Sequence, residues 1–563
     1  MTAGDVATAG TITVAEVVGR TLARLGVGHA FGVVGSGNFA VTNALRAGGV
    51  PFTATRHEGG AATAADAYSR LTGTVAVLSV HQGCGLTNAT TGIGEAAKSR
   101  TSVLVLAAET VGASVTSNFT MDQPGLARSV GAVSERVHSA ESAVRDTVRA
   151  FRTARDGRRT VVLNLPLDVQ QLRVPAAVLD AVADVPRPVP APAGSSAVAE
   201  LAEMLARSER PVLVAGRGGR GAGPELRALA AQSGALLATS AVANGLFVDD
   251  PFSVGISGGF SSPLAAELIA GADLIVGFGC ALNMWTMRHG HLIGPGAGVV
   301  QVDDDEAALG AHRPIDLGVR GDSAETARLV TEELRRRGHE AIGYRTPEVR
   351  DRIRESASWR DTATPDLSTA ERIDPRVLSA RLDELLPRER VVAIDSGNFM
   401  GYPSAYLRVP DEDGFVFTQA FQSIGLGLAS ALGAALAQPH RLPVLGTGDG
   451  GFLMGVAELE TISRLGIPLV VIVYDDAAYG AEVHHFAGAG DEDVDVSTVV
   501  FPDTDIAAIG RGFGADGITV RGVEDLDHVR AWLDSGPARP LVIDAKIASD
   551  GGAWWLHEAF TGH

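Results

Sequence analysis

Asp449 and Asp476 carry the most chemistry for their spacing. Asp449 stands in Gly448-Asp449-Gly450-Gly451, after the apolar run Pro443–Leu445 and before a helical stretch at Ala457–Leu465. Asp476 follows 27 residues later, in Tyr474-Asp475-Asp476-Ala477-Ala478-Tyr479-Gly480, at the end of the apolar run Leu469–Val473. A strand–helix–strand unit of that length returns the chain to a neighbouring strand end, so the spacing predicts that both carboxylates converge where open α/β sheets bind ligands. The glycines let a backbone approach a ligand closely and leave amides exposed at a helix N-terminus, an arrangement that suits phosphate. Hard oxygen ligands beside such a loop suit Mg²⁺ or Ca²⁺ rather than zinc. The alternative is that both acids only cap helices.

The elements that must place these residues read as short apolar, β-branched runs alternating with helical stretches. This is the pattern of parallel sheets covered on both faces. The first block, 1–181, carries a helix near Val14–Leu25, strands at His29–Val33, Val75–Val80, Ser102–Leu106 and Thr160–Leu165, and a helix after Gly37. The Pro-rich stretch 182–196 reads as a linker. The second block, 197–337, has strands at Pro211–Ala215, Leu274–Phe278 and Gly298–Val302. Residues 337–372 are charged and broken, and read as a second connection. The third block, 373–563, has strands at Val391–Ile394, Pro443–Leu445, Leu469–Val473 and Pro540–Ile543. The expectation is three consecutive doubly wound α/β domains, with the first and third as candidate distant repeats.

Bulk composition narrows the function classes. A chain of 563 residues exceeds one core. Its formal net charge of −19 argues against a nucleic-acid partner. No apolar run is long enough for a membrane span, and the first residues lack the basic and apolar regions of a signal peptide. Cys84 and Cys280, the two cysteines, cannot build a disulfide framework, so the expected setting is the cytoplasm.

Gly448-Asp449-Gly450 with the polar pair Asp475-Asp476 resembles the motif of thiamin-diphosphate-dependent enzymes. The resemblance spans nearly the whole chain. It implies that Asp449, Asp476 and the Ala478 carbonyl bind Mg²⁺, with Gly448, Gly450, Gly451, Tyr479 and Gly480 around the diphosphate. Gly397 and Asn398, at another strand end, join them. The segment Gln419–Ala435 resembles the part that holds the cofactor bent, with Ile424 as apolar wedge and the Gln422 carbonyl receiving the amino group. Arg56-His57-Glu58-Gly59-Gly60, entering an Ala-rich helix, resembles the pyrimidine-binding segment. It implies Glu58 as the acid that switches the ring to its basic tautomer. The Asp-Asp pair departs from the family's Asn-Asn and adds negative charge beside a diphosphate. The middle block matches the family's central domain, where some relatives bind FAD; GRGGRGAG is too weak a fingerprint to favour FAD here.

The choice of reaction turns on three places. His81, in Val80-His81-Gln82-Gly83-Cys84, and Ser36 resemble benzoylformate decarboxylases, which gives His81 a proton-transfer role; a structural His bonded to a carbonyl is the alternative. Glu482 stands where pyruvate-type decarboxylases carry a catalytic Glu, and His485, three residues on, shares its helix face. Phe119 stands near the catalytic Gln of many acetolactate synthases, so Gln82 or Gln123 would substitute. The expectation is decarboxylation of a 2-oxo acid followed by coupling to a carbonyl acceptor, as in acetolactate synthases. Simple decarboxylation comes next, then aldehyde lyase chemistry, and last a non-catalytic regulatory paralogue. The resemblance implies a homodimer or homotetramer with the cofactor at the subunit interface. The C-terminal GGAWWLHEAF, with Trp554 and Trp555, reads as a candidate lid.

Overall fold

The computed structural model describes residues 10–183, 185–341, 343–487 and 494–555. Residues 556–560 of the candidate lid lie outside them. Three six-stranded sheets, all parallel, follow one another along the chain, each flanked by helices. The first sheet runs Phe52–Ala54, Ala30–Gly32, Ala76–Val80, Val103–Glu109, Val161–Pro166, Val133–Arg136 from edge to edge. The third runs Phe415–Phe417, Arg390–Ile394, Leu442–Gly448, Val470–Asp475, Leu541–Lys546, Asp516–Val520. Counted along each domain, both orders are 2-1-3-4-6-5. The repeat that the residues alone left open is therefore present in the topology. The middle sheet has the other doubly wound order, 3-2-1-4-5-6, with its switch point between Pro211–Ala215 and Leu274–Phe278.

The central strands form because their runs are β-branched and buried on both faces. Every residue of Val470–Asp475 is buried, as is every residue of Ala76–Val80. The first long helix, Val14–Arg24, starts at a capping box: the Glu16 amide donates to Thr13 Oγ1 at 3.2 Å and the Thr13 amide donates back to Glu16 at 2.8 Å. The charged stretch 337–372, expected as a bare connection, carries a helix, Pro347–Ser356, capped by Thr346 and anchored by buried Ile353. Its exposed faces are charged, and Val349 and Ile353, with Ala357 beyond its end, are the apolar residues that pack it on the middle domain, which gave little periodic signal.

The first and third domains pack directly on one another. Helix Glu58–Thr72 of the first lies against helix Gly427–Ala437 of the third. A Cβ on Gly433 would collide with the Ala64 carbonyl, so glycine sets the closeness of this seam. Among the described residues no helix is long and apolar enough to cross a membrane.

Candidate active site

Strands Leu442–Gly448 and Val470–Asp475 are parallel neighbours, with Gly448 opposite Tyr474. Asp449 and Asp476 therefore leave adjacent strand ends together, and both line one cavity of about 1190 Å³. Burial, then the charges of Asp476 and Asp475, push Asp449 up to about 8. Burial, then Asp475, pushes Asp476 up to about 7. Two carboxylates in this state require a cation to ionise together. Among the described residues no group of three His, Cys, Asp or Glu side chains could hold a metal, so the pair is a two-carboxylate oxygen set. A cation here must draw further oxygens from backbone or ligand, and the donor set fits Mg²⁺ with a diphosphate.

The turn after Asp476 is tightly fixed. Ala477 has φ +56, an unusual value for a residue with a Cβ. Its amide donates to Asp475 Oδ1 at 2.9 Å and its carbonyl accepts from the Phe501 amide at 2.8 Å. A Cβ at Gly480 would collide with Asp476 Oδ2, so only glycine leaves that oxygen room. Asp475 faces away, toward Lys546. Gly448, Gly450, Gly451, Ala478, Tyr479, Gly480 and Glu482 line the same cavity.

Other strand ends complete the wall. Gly397, Asn398, Gln422 and Ile424 face the cavity. Gln422 has φ +57, a strained conformation for this residue. Asp395 holds the region together. Fully buried, it accepts from the amides of Ser396 at 2.8 Å and Gly425 at 3.0 Å and from Thr447 Oγ1 at 3.0 Å. Burial drives its carboxyl up to about 6 despite these bonds. Its sequence signal was an acid closing an apolar strand, but its hub role needs contacts 30 and 52 residues away. The cavity continues to the switch point of the middle sheet, past Gly216, Gly279 and Asp303.

The first domain carries a second, separate cluster. Glu58 opens its helix, and Asn88 Nδ2 donates to Glu58 Oε2 at 3.0 Å. Ser36 Oγ lies 3.3 Å from His81 Nε2, while His81 Nδ1 lies 3.0 Å from the Gln82 carbonyl. A carbonyl can only accept, so Nδ1 carries the proton and Nε2 of the neutral ring accepts from Ser36. Phe119 stacks edge-on with His81 at 5.0 Å. Gln82 is buried with its Oε1 unpartnered. Gln123 is fully committed, to the Gly83 amide, the Ala108 carbonyl and Asn164. None of Ser36, Glu58, His81 or Gln82 lines the cavity of the third domain. Within one chain the two halves stand apart.

His485 is outside the cavity lining, its ring 4.8 Å from Phe486. Trp555 reaches the cavity, whereas Trp554 packs on Trp359 at 4.2 Å and donates to the Gly259 carbonyl at 3.1 Å. The described start of the C-terminal segment is thus wedged between the middle and third domains.

Sequence comparisons agree with this architecture. Residues 12–126 match the thiamine pyrophosphate enzyme N-terminal TPP binding domain, 198–330 the central domain and 395–545 the C-terminal TPP binding domain. The chain is 30% identical to a Pseudomonas aeruginosa protein named "Probable 2-ketoarginine decarboxylase AruI", over 93% of this chain and 92% of that one. It is 26% identical to a sulfoacetaldehyde acetyltransferase of Castellaniella defragrans, over 95% and 91%. It is 27% identical to an acetolactate synthase large subunit of Parasynechococcus marenigrum, over 95% and 88%. With three domains matching in this order and a relative 30% identical over nearly the whole of both chains, the chain belongs to the thiamine pyrophosphate enzyme family.

Proposed function

We propose that this enzyme uses thiamin diphosphate and Mg²⁺ to decarboxylate a 2-oxo acid and releases the product aldehyde. The Ser36–His81 hydrogen bond carries the reading. In it, Asp449, Asp476 and the Ala478 carbonyl hold Mg²⁺, and the backbone of Gly448–Gly451, with Gly397, Asn398, Tyr479 and Gly480, holds the diphosphate. The Gln422 carbonyl and Ile424 seat the rings. When bound, thiamin diphosphate supplies the carbon nucleophile and the electron sink for loss of CO₂. Glu58 hydrogen-bonds the aminopyrimidine and holds a proton at its carboxylate. Ser36 Oγ turns toward the substrate carboxylate. His81 Nε2, with Nδ1 fixed by the Gln82 carbonyl, would take up a proton from solvent and deliver it to the substrate carbon in place of the departing CO₂. Glu482, on the cavity wall, is the second acid for proton delivery.

A homodimer is part of this reading. Ser36 and Asn88 are exposed in one chain, as is Phe119, and Glu58 stands away from its own chain's cavity. Exposed Phe421, Met454 and Phe486 border the third-domain half and suit burial by a second copy. A tetramer, a cytoplasmic setting and the absence of FAD go with it. A flavin absorption band in the purified protein would overturn the last point.

Coupling to a carbonyl acceptor is the second reading, favoured by the likeness to an acetyltransferase and an acetolactate synthase. A panel of 2-oxo acids, including one with a basic terminus, assayed with and without aldehyde acceptors by mass spectrometry, separates the two. Aldehyde as sole product supports decarboxylation. A hydroxy-ketone or acyl product that His81→Ala leaves unaffected would overturn it.

A further inference from the structure

Two buried glutamates outside the site are placed as mirror images. Glu458, in the third domain, reaches the first: the His57 amide donates to Glu458 Oε1 at 2.9 Å and the Arg56 amide at 3.1 Å. Those amides immediately precede Glu58. Glu95, in the first domain, reaches the third: the Ala420 amide donates to Glu95 Oε1 at 3.0 Å and the Phe421 amide to Oε2 at 2.6 Å. Those amides immediately precede Gln422.

The correspondence follows the shared topology. Each glutamate lies in the second helix after the third strand of its sheet, Thr90–Lys98 or Ala457–Arg464. Each grips the loop after the second strand of the other sheet, Phe52–Ala54 or Phe415–Phe417. Glycines make room on both sides. A Cβ at Gly60 would collide with the Glu458 carboxylate, and one at Gly94 would sit 2.8 Å from the Phe421 ring.

Both side chains are nearly inaccessible, at 0% for Glu95 and 3% for Glu458. Arg70 Nη2 donates to Glu95 at 2.6 Å, and Arg70 Nη1 donates to the Phe417 carbonyl at 2.8 Å. Burial alone would raise the Glu95 carboxyl, but Arg70 and the two amides hold it down. Burial keeps Glu458 raised against Thr461 Oγ1, its two amides and the nearby His57.

We infer that Glu95 and Glu458 are reciprocal positioning residues. Glu95 fixes the backbone that presents Gln422 and Ile424, and Glu458 fixes the turn that presents Glu58. This rests on the proposed function. In the homodimer it assigns, the Glu58 and the Gln422 of one chain serve different sites, so each clamp ties one site's acid to the other site's cofactor wall. Charge-assisted bonds to backbone amides are strong enough to set such a turn.

The test uses the full-length enzyme with Glu95→Gln, Glu458→Met and Glu458→Gln. It reads apo melting temperature, the thiamin diphosphate dissociation constant at saturating Mg²⁺, and the rate at which the bound cofactor's thiazolium proton exchanges with D₂O. Glu95 gives a separate oxygen to each amide, so Glu95→Gln should weaken cofactor binding by about tenfold or more. Glu458→Met should leave binding within about threefold and slow proton exchange by about tenfold or more. The shorter contacts of both the Arg56 and His57 amides go to Glu458 Oε1, and Arg56 makes a longer one to Oε2 at 3.3 Å, so Glu458→Gln should restore most of the exchange rate lost in Glu458→Met. Lower melting temperatures with binding and exchange unchanged would make the glutamates mere latches and overturn the inference. If Glu95→Gln does not fold, Glu95→Asp takes its place with the same expectations. A wild-type protein that binds no thiamin diphosphate sinks the proposed function and this inference together; a wild type that binds, with unaltered variants, sinks this inference alone.

Discussion

Lys546 Nζ donates to Asp475 Oδ2 at 2.5 Å, and both side chains are almost wholly buried. The same ammonium meets Asp503 at 2.6 Å and Asp544 at 3.2 Å. Lys546 is the in-register neighbour of Asp475 on the adjacent strand, so the cation engages Asp475 there and leaves Asp476 as the acid on the cavity side. The two adjacent aspartates are separated in role by which face of the strand end each takes.

Removing that cation strands a buried charge. Lys546→Met should destabilise the apo protein by about 3–5 kcal/mol, because Asp475 and Asp544 are left unpaired. Asp475→Asn added to Lys546→Met should recover part of the loss. Urea unfolding of both variants checks this, and equal stability of Lys546→Met and wild type would refute it.

The cavity acids predict a pH dependence. Asp449 and Asp476 have folded pKa values near 8 and 7, above the ordinary carboxylate value. A raised folded pKa means the folded state holds its proton longer than the unfolded state. Stability from this pair is complete below about pH 4 and is lost as pH rises through 7 to 8. A divalent cation must displace those protons, so Mg²⁺ affinity should rise with pH over the same window, with proton release on binding. Asp476→Asn removes one charge and should flatten both dependences. Calorimetric Mg²⁺ titrations in buffers of different ionisation heat, from pH 6 to 8.5, measure this directly.

Much of this site was legible before the fold was seen, and the reasons are local. The acids at 449 and 476 could be paired because one strand–helix–strand unit separates them and strand spacing is fixed. The central strands announced themselves as buried β-branched runs. Edge strands such as Phe52–Ala54 and Phe415–Phe417 span three residues with one face exposed or covered by loops, so they leave no pattern. Glu95 and Glu458 were invisible for a different reason. Their partners lie 325 and 401 residues away, and a lone glutamate in a helix reads as a side chain facing water. His485 illustrates the limit of helical spacing: it shares a helix with Glu482, yet only Glu482 reaches the cavity wall.

Glu58 tests the activation step. Its carboxylate is held by Asn88 Nδ2 at 3.0 Å. Glu58→Gln keeps the shape and the Asn88 contact but cannot exchange a proton with the ring. It should keep the melting temperature and bind thiamin diphosphate within about tenfold, while kcat falls by about 10²–10⁴-fold. Steady-state kinetics beside a cofactor titration checks both halves. Full activity in this variant would remove Glu58 from the mechanism.

Gly480 offers the sharpest steric test of Asp476 as the proposed metal ligand. It opens the helix Gly480–Ala487, and its missing Cβ is what leaves Asp476 Oδ2 free. Alanine is the better helix former, so on helix propensity alone Gly480→Ala should be neutral or stabilising by up to about 1 kcal/mol. The added methyl instead must push Asp476 aside or be pushed by it. The expected outcome is a Mg²⁺ affinity at least about tenfold weaker with apo stability changed by no more than about 1 kcal/mol. Mg²⁺ demands near-ideal octahedral placement, and a carboxylate displaced by even part of an ångström forfeits it. Gly480→Ala paired with Asp476→Asn should show no further loss if the methyl acts only through that oxygen, and a Mg²⁺ titration of the single and double variants reads that coupling.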